Sequence, residues 1–546
     1  MRIKQVVAGF KSRMYSVDWT LLAFLLLFLN VKLVVKIAAL VLVFILRPNF
    51  KLGFAIRNSR LPLFYLLVIV IAIFNWLFSG QLGNFNYDIV LATGILFWVL
   101  CILAIHQIKL SVEKNDPAII HRTIVVFFII NALASLFVYA GIVLETGVIN
   151  AYLYQGNFQK YFIGTGDYIK GITFDTSTAN AVLNALGVIY FLARGKNLPA
   201  LLCMLVLLLT GSNITNILLC LVLIVVFFSQ ADKNKKSIII VCLMMMIVFF
   251  VKISPQNNNY AAGLYQQVFN IKPNTKKTPI AQIPVTQKPD SILTSDEKKE
   301  KIAQLYMDSI NILRYNEILN NAKTKTGTLP EFAINEKPII PVANIHTAAY
   351  QHKDDTSMFE KKLLQFVEKN NSKFSIVADE TNKLKMPGKL IALQQTYSYL
   401  NQHRSKIITG TGIGNFSSKL AFRSTALKIS GNYPESYAYI NDGFKTNHLA
   451  LYIFYFTSSE GMHSIANSPN NTYDQLLSEY GLAGIFAFAF FYIGFFIKQS
   501  NKNTYAIPSI LLMLGVFFAD YWFEQLSVVV FFELLLLLNF KELKSE

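Results

Sequence analysis

The chain has 546 residues, of which 53% are hydrophobic and only 15% charged, with a formal net charge of +18. An ordinary soluble domain carries about 25% charged residues, so a soluble enzyme is excluded, and repeated apolar runs near the ~20 residues that a bilayer core demands point to an all-α polytopic membrane protein. The positive balance does not imply nucleic acid as a partner, because much of the excess sits in short loops where the membrane itself selects Lys and Arg.

The chain opens with "MRIKQVVAGFKSR" and passes into an apolar span with no small-residue cleavage pattern after it, so removal of a signal peptide is not expected. Spans are expected near 18–31, 34–46, 62–78, 88–106, 124–144, 178–193, 198–210, 214–229, 237–253, 481–497, 508–522 and 526–539. Basic clusters fall at every second boundary: Arg2 to Arg13, Arg47 to Arg60, Lys109 to Arg122, Arg194 to Lys196, Lys233 to Lys236, Lys498 to Lys502 and Lys541 to Lys544. The connections between them, "SGQLGNFNYD", "TGSN" and "DYWFEQ", carry no Lys or Arg. This alternation places both termini in the cytoplasm with about twelve transmembrane helices. The first hairpin is the weak point of the pattern, because Lys32 and Lys36 interrupt it; snorkelling at the outer interface is one way to accommodate them. Cys101, Cys203, Cys220 and Cys242 all lie in apolar runs without CxxC spacing, so neither a disulfide framework nor a zinc site is expected.

The layout has three parts: transmembrane spans over 1–253, a large, mainly helical extracytoplasmic loop over 254–480 between the ninth and tenth spans, and the closing spans over 481–546. The loop begins with the linker "IKPNTKKTPIAQIPVTQKPD". Helical patterns follow. The first, "SDEKKEKIAQLYMDSINILRYNEILNNAK", is capped at Ser295 and repeats Ile302, Leu305, Met307, Ile310 and Leu313. The second is the shorter "TSMFEKKLLQFVEKN", and the third, "GKLIALQQTYSYLNQHRSK", places Leu390, Leu393, Tyr397 and Leu400 on one face. No fixed-period repeat supports a solenoid.

Phosphate-loop, zincin and serine-hydrolase templates are absent, and the inward loops are too short to house a nucleotide-dependent reaction. Chemistry, if present, belongs on the outer face, where a substrate must arrive already activated. There, "NSPNNTYDQLLSEYGLAGIFAFAFF" crowds Asn467, Asn470, Asn471, Asp474, Gln475 and Glu479 at the threshold of a span. Asparagine and glutamine can bond sugar hydroxyls without adding fixed charge, whereas a capped helix start needs only one of them.

"KIITGTGIGNFSSKL" followed by "SPNNTYDQLLSEYGLAGIFAF" resembles the C-terminal half of the O-antigen ligase and polymerase superfamily. The matching positions are Gly410, Gly412, Gly414 and Phe416, then Asn471, Leu476, Leu477, Glu479, Gly481 and Gly484. Weaker echoes are "GITFDTSTANAVLNAL", with Asp175 and Asn180, and "LLTGSNITNILL", with Ser212. Asn470 stands where that family often has histidine, and Ser212-Asn213 where many members have Ser-Arg; His463, seven residues before Asn470, is a substitute for the missing base.

The resemblance implies transfer of a glycan from a polyprenyl-diphosphate-linked donor to a hydroxyl of lipid A-core or of another glycan, at the outer face of a bacterial inner membrane, without cofactor or metal. In that reaction the departing diphosphate needs positive charge and the acceptor must lose a proton. The catalytic candidates are His463, Asn470 and Glu479. The substrate-binding candidates are Arg404, Arg423, Gly410, Gly412, Gly414, Asn471, Asp175, Asn180 and Ser212, with Lys160, Lys170, Lys406 and Lys419 adding diffuse attraction. Each also has a plain structural reading: a tight glycine turn, a solvated helix end at Arg404, an exposed Arg423, a helix cap in "DTSTAN", or a Glu479 that only orients its span. The remaining outer histidines, His346, His352, His403 and His448, have no ligand spacing. Two other classes stay open, a transporter or flippase of a lipid-linked saccharide and a non-catalytic anchor whose loop binds a partner.

Overall fold

The computed structural model describes residues 17–55, 59–78, 81–146, 149–150, 169–229, 232–253, 386–427, 433–457, 467–501 and 504–545, with single residues 429 and 465 and short pieces between 286 and 305. Among them every regular element is helical. The elements are α1 Trp19–Phe28, α2 Leu33–Leu46, α3 Phe64–Phe78, α4 Phe85–Lys114, α5 Pro117–Thr146, α6 Ser177–Ala193, α7 Asn197–Leu209, α8 Asn213–Ser229 and α9 Lys233–Val248. Further along the chain come α10 Gly388–Gln402, α11 Lys419–Ser424, α12 Asp442–Asn447, α13 Leu449–Thr457, α14 Thr472–Ala487, α15 Ala506–Val516, α16 Trp522–Gln525 and α17 Ser527–Ser545. α14 runs on through a π turn at Phe488–Ile493 to Gly494–Gln499.

Among the described residues, four stretches are long and apolar enough to cross a membrane: Phe85–Lys114, Pro117–Leu144, Lys233–Ile253 and Thr472–Gln499. The apolar helices α1, α2, α3, α6, α7, α8 and α15 are shorter, between 10 and 17 residues. Apolar side chains left facing outward, such as Val34, Ile45, Phe137, Leu198 and Phe228, suit a lipid surroundings.

The axis of the bundle is α17, whose residues Val528 to Leu538 are almost wholly buried. Against a lipid background such burial is stabilised by close packing rather than by escape from water, and aromatic rings do most of it here. Phe64 of α3 meets Trp98 of α4 edge-on at 5.6 Å and Phe523 of α16 at 5.2 Å, and Phe523 meets Tyr492 at 5.5 Å.

The two ends of the bundle differ. At one, Arg47 pairs with Asp18 at 3.0 Å, Lys541 donates to Val112 O, and Arg194 pairs with Glu542, so the basic connections share that end. At the other, Val31 N donates to Thr173 O, Ser527 Oγ to Leu29 O, and Thr472 N to Phe517 O, which gathers the connections before α2, α6, α14 and α17.

Three local expectations need correction. Lys36 does not snorkel: it is buried, donating to Phe28 O at 2.8 Å and Ser527 Oγ at 3.2 Å with its charge over the Phe28 ring, because the start of α17 supplies an acceptor beside the hairpin. The loop's first helix is capped by Thr294 rather than Ser295, in a reciprocal box with Glu297; its later apolar positions, and "TSMFEKKLLQFVEKN", lie outside the described residues. On α10 the inward face is Lys389, Ala392, Thr396 and Leu400, while Leu390 and Tyr397 are exposed. A lysine turned inward displaced the face that apolar periodicity alone selects.

Candidate functional site

α14 breaks within its third turn. Gly481 has φ 65° and ψ −163°, which no helix tolerates, and the break strands backbone groups on both sides of it. The segment 407–412 fills the gap. Thr411 N donates to Ser478 O at 2.9 Å and Gly412 N to Glu479 O at 3.0 Å, while Leu482 N donates to Ile407 O at 2.8 Å and Ala483 N to Ile408 O at 2.9 Å. Gly410 and Gly412 have positive φ, and Gly410 lies where any side chain would collide with the Glu479 carbonyl. Asn75 of α3 adds a donor to Thr409 O. The glycine turn is therefore a plug in a broken helix.

Glu479 is wholly buried under that plug, its Oε1 accepting from Phe416 N at 3.3 Å. Beside it Ser417 Oγ donates to Asp474 Oδ2 at 2.6 Å and contacts Tyr521 OH at 2.9 Å. Asn415 Nδ2 reaches Tyr87 OH at 3.1 Å, and Tyr439 OH donates to Asn415 Oδ1 at 2.8 Å. These contacts enclose the plug and keep Glu479 out of solvent.

Beyond the plug, α11 begins at the Ser418 cap and presents Lys419 and Arg423 one turn apart, on one face. Both act on Glu524 of α16. The Glu524 carboxylate accepts from Gln475 Nε2 at 2.6 Å and from Leu420 N at 3.1 Å. Burial pushes its pKa up to about 7, against the opposing pull of Lys419 and Arg423. One turn away Asp520 accepts from Asn470 Nδ2 at 3.2 Å and Gln525 Nε2 at 2.6 Å. Asp175, just before α6, belongs to the same electrostatic neighbourhood: burial raises its pKa, and Lys419, Asp520 and Arg423 all act on it.

Four acceptors in this neighbourhood are buried and have no protein partner: Asp175 Oδ2, Asn470 Oδ1, Gln475 Oε1 and Gln525 Oε1. Unpaired buried acceptors are costly, and a ligand rich in hydroxyl donors would satisfy them. The arrangement offers two cations, a carboxyl that titrates near neutrality, and a rim of unfilled acceptors. Among the described residues no cluster of His, Cys, Asp and Glu is arranged to hold a metal ion.

The expected site residues thus divide. Arg423, Asp175, Asn470 and Asn471 come together at this end, with Asn471 serving as the cap of α14 by accepting from Tyr473 N at 3.0 Å. Gly410, Gly412, Gly414 and Glu479 form the plug next to it. Arg404 stands apart, exposed in a 3-10 turn after α10 ends at Gln402. Asn180 is buried in an amide cluster, accepting from Asn131 Nδ2 and Asn184 Nδ2 at 2.8 Å and donating to Ile169 O, which braces the Gly171–Thr173 turn. Ser212 bonds Thr215 Oγ1 at 2.9 Å, just before the start of α8. His463 lies outside the described residues. His448, between α12 and α13, is buried with Nδ1 on Gln395 Oε1 at 2.9 Å, and burial lowers its pKa to about 3, so it stays neutral in the core.

Sequence reasoning missed Glu524, Asp520, Gln525 and Lys389. The signal for the first three was present in "DYWFEQ", a connection without Lys or Arg that nonetheless carries two acids and an amide. No protein-family model, no curated protein and no solved structure matches the chain.

Proposed function

We propose that this protein transfers a glycan from a polyprenyl-diphosphate-linked donor to an acceptor hydroxyl at the outer face of the inner membrane, as the O-antigen ligase and polymerase superfamily it resembles does. The observation that carries this reading is the docking of Glu524 on the start of α11, where Leu420 N donates to it at 3.1 Å and which carries Lys419 and Arg423. Lys419 and Arg423 take the diphosphate and stabilise the charge that gathers on it as the glycosidic bond breaks. Glu524, ionised above about pH 7, removes the acceptor hydroxyl proton as its oxygen attacks the anomeric carbon. Asn470, Gln475, Gln525 and Asp175 receive hydroxyls of donor or acceptor sugar on their unpaired oxygens. In this reading about twelve spans cross the membrane, both termini are cytoplasmic, and the long loop is periplasmic.

A second reading, a transporter of a lipid-linked saccharide, is favoured by the break at Gly481 in a candidate span, since discontinuous helices mark binding sites in transporters. The plug weighs against it: the backbone groups freed by the break are taken up by 407–412 rather than left for an ion or substrate. The deciding experiment is reconstitution of the full chain in vesicles with a lipid-linked oligosaccharide and a core-lipid or oligosaccharide acceptor. Formation of a longer or core-linked glycan supports transfer; relocation of unchanged substrate across the bilayer supports transport and ends the transferase reading. Single-cysteine labelling near Gly412 checks the sidedness on which both depend.

A further inference from the structure

Lys389 lies on α10, outside the candidate spans, and is 2% exposed. A lysine so deeply buried ordinarily has a carboxylate at salt-bridge distance. Lys389 instead donates to two main-chain carbonyls, Asn470 O and, at 2.7 Å, Ala519 O. Those carbonyls immediately precede Asn471, the cap of α14, and Asp520, the acceptor for Asn470 and Gln525. The start of α10 presses on the same turn, for a side chain on Gly388 would overlap Asn467 O. The turn at 467–471 and the turn at 517–522 are separated by the whole hairpin of α14 and α15, yet Thr472 N donates to Phe517 O at 3.0 Å and Trp522 N to Thr472 Oγ1 at 3.2 Å.

We propose that Lys389 is a positioning residue: from a helix outside the candidate spans, its ammonium clamps together the two turns that carry Asn470 and Asp520, and thereby sets the geometry of the candidate site. Point by point, the chemistry suits a clamp better than a catalyst. Both donated hydrogen bonds end on backbone, which fixes position without committing a side chain. The facing charged groups are Asp520 and Asp474, and Asp474 is already engaged by Ser417 Oγ at 2.6 Å. Burial pushes the ammonium down to about 7, partly offset by those two acids, so the clamp sits close to its charging range. A purely structural lysine would be replaceable by a hydrophobe of equal length; this one holds two carbonyls that would lose their donor together.

The clamp is tested by hydrogen exchange on the full chain in nanodiscs, comparing Lys389→Met with wild type and with Leu400→Ala, which thins the same buried face of α10 without touching either carbonyl. Loss of a hydrogen bond from a charged donor is expected to accelerate exchange about tenfold in both 467–472 and 517–522, with α6 unchanged and with little effect of Leu400→Ala at these two turns. Unchanged exchange at either turn overturns the clamp, and so does an equal response to Leu400→Ala, which would make Lys389 ordinary packing. Where Lys389→Met does not accumulate, Lys389→Gln, too short to reach both carbonyls, is read in the same way. The link to the site rests on the proposed glycan transfer: Lys389→Met and Asn470→Ala should lower transfer non-additively. Strictly additive losses, or no loss from Lys389→Met, overturn the positioning role. If wild-type protein transfers nothing, the transferase reading falls and the exchange comparison alone decides the clamp.

Discussion

Gly410 and Gly481 meet at the break in α14 with no room for a side chain on either: a Cβ on Gly481 would stand 2.6 Å from Gly410 N, and one on Gly410 would overlap the Glu479 carbonyl group. Both have positive φ, 80° and 65°. Alanine at either position pays about 1–2 kcal/mol for the left-handed backbone alone, and the collisions with main-chain atoms, which cannot step aside, add to that. Gly195 supplies the comparison, since its φ is +64° but nothing lies within 4 Å of a Cβ there. Thermal melting in detergent should therefore show Gly410→Ala and Gly481→Ala losing clearly more stability than Gly195→Ala. Equal losses would mean that the plug does not depend on close backbone approach.

The membrane character, the loop's glycine turn and a cap at Asn470 or Asn471 were legible because each is local: apolar run length, glycine at a turn and an asparagine before a helical pattern leave marks on neighbouring residues. The function of the plug was not, because its hydrogen bonds join Thr411 to Ser478 and Gly412 to Glu479 across a long stretch of chain. Arg404 and Arg423 looked alike in sequence and both are exposed; what separates them is that Arg423 stands one turn from Lys419 on α11, whose Leu420 N donates to Glu524. Lys389 was invisible for a different reason: on an amphipathic pattern a lysine is assigned to the solvent side, and only the paired carbonyls of Asn470 and Ala519 make burial tolerable.

Glu524 makes the transfer reading dependent on pH. Its folded-state pKa is raised from 4.5 to about 7, so the base form is lost as pH falls through about 7 and complete above it. Transfer measured at saturating donor should rise between about pH 6 and 8 and then level off. Glu524→Gln, which keeps the hydrogen-bonding shape around Gln475 and Leu420, should lower turnover by about 10²–10⁴-fold and flatten that profile. A wild-type rate with an unchanged profile in the Gln variant would remove Glu524 from the chemistry.

Lys419 and Arg423 should act on donor binding. If each makes a charge-assisted bond to the diphosphate, Lys419→Met or Arg423→Met loses about 1.5–3 kcal/mol, a rise in donor KM of roughly ten- to a hundredfold. The rise should shrink at high ionic strength, because wild-type binding is itself weakened by screening. Arg404→Ala, on the turn after α10 rather than on α11, should leave KM near wild type. Titration of donor against all three variants separates the two arginines, and equal effects at Arg404 and Arg423 would contradict the placement of the site.

Glu533 provides a test of the bundle's interior. Its carboxyl is fully buried on α17, and Oε1 accepts from Tyr65 OH and, at 3.0 Å, from Tyr492 OH, while Oε2 has no protein partner. An acceptor stranded in an apolar interior costs more than a hydrogen bond contributes, by about 1–3 kcal/mol. Tyr492→Phe leaves the carboxyl with a single donor and should lower the melting temperature. Changing the acceptor as well, in Tyr492→Phe with Glu533→Leu, removes the group that suffers, so the double variant should recover part of the loss even though it has lost more polar contacts. A simple sum of two destabilisations would show that the tyrosines hold Glu533 by packing alone. The rings of Tyr65 and Tyr492 pack against those of Phe64, Trp98 and Phe523, an apolar setting that suits a leucine in place of the carboxyl.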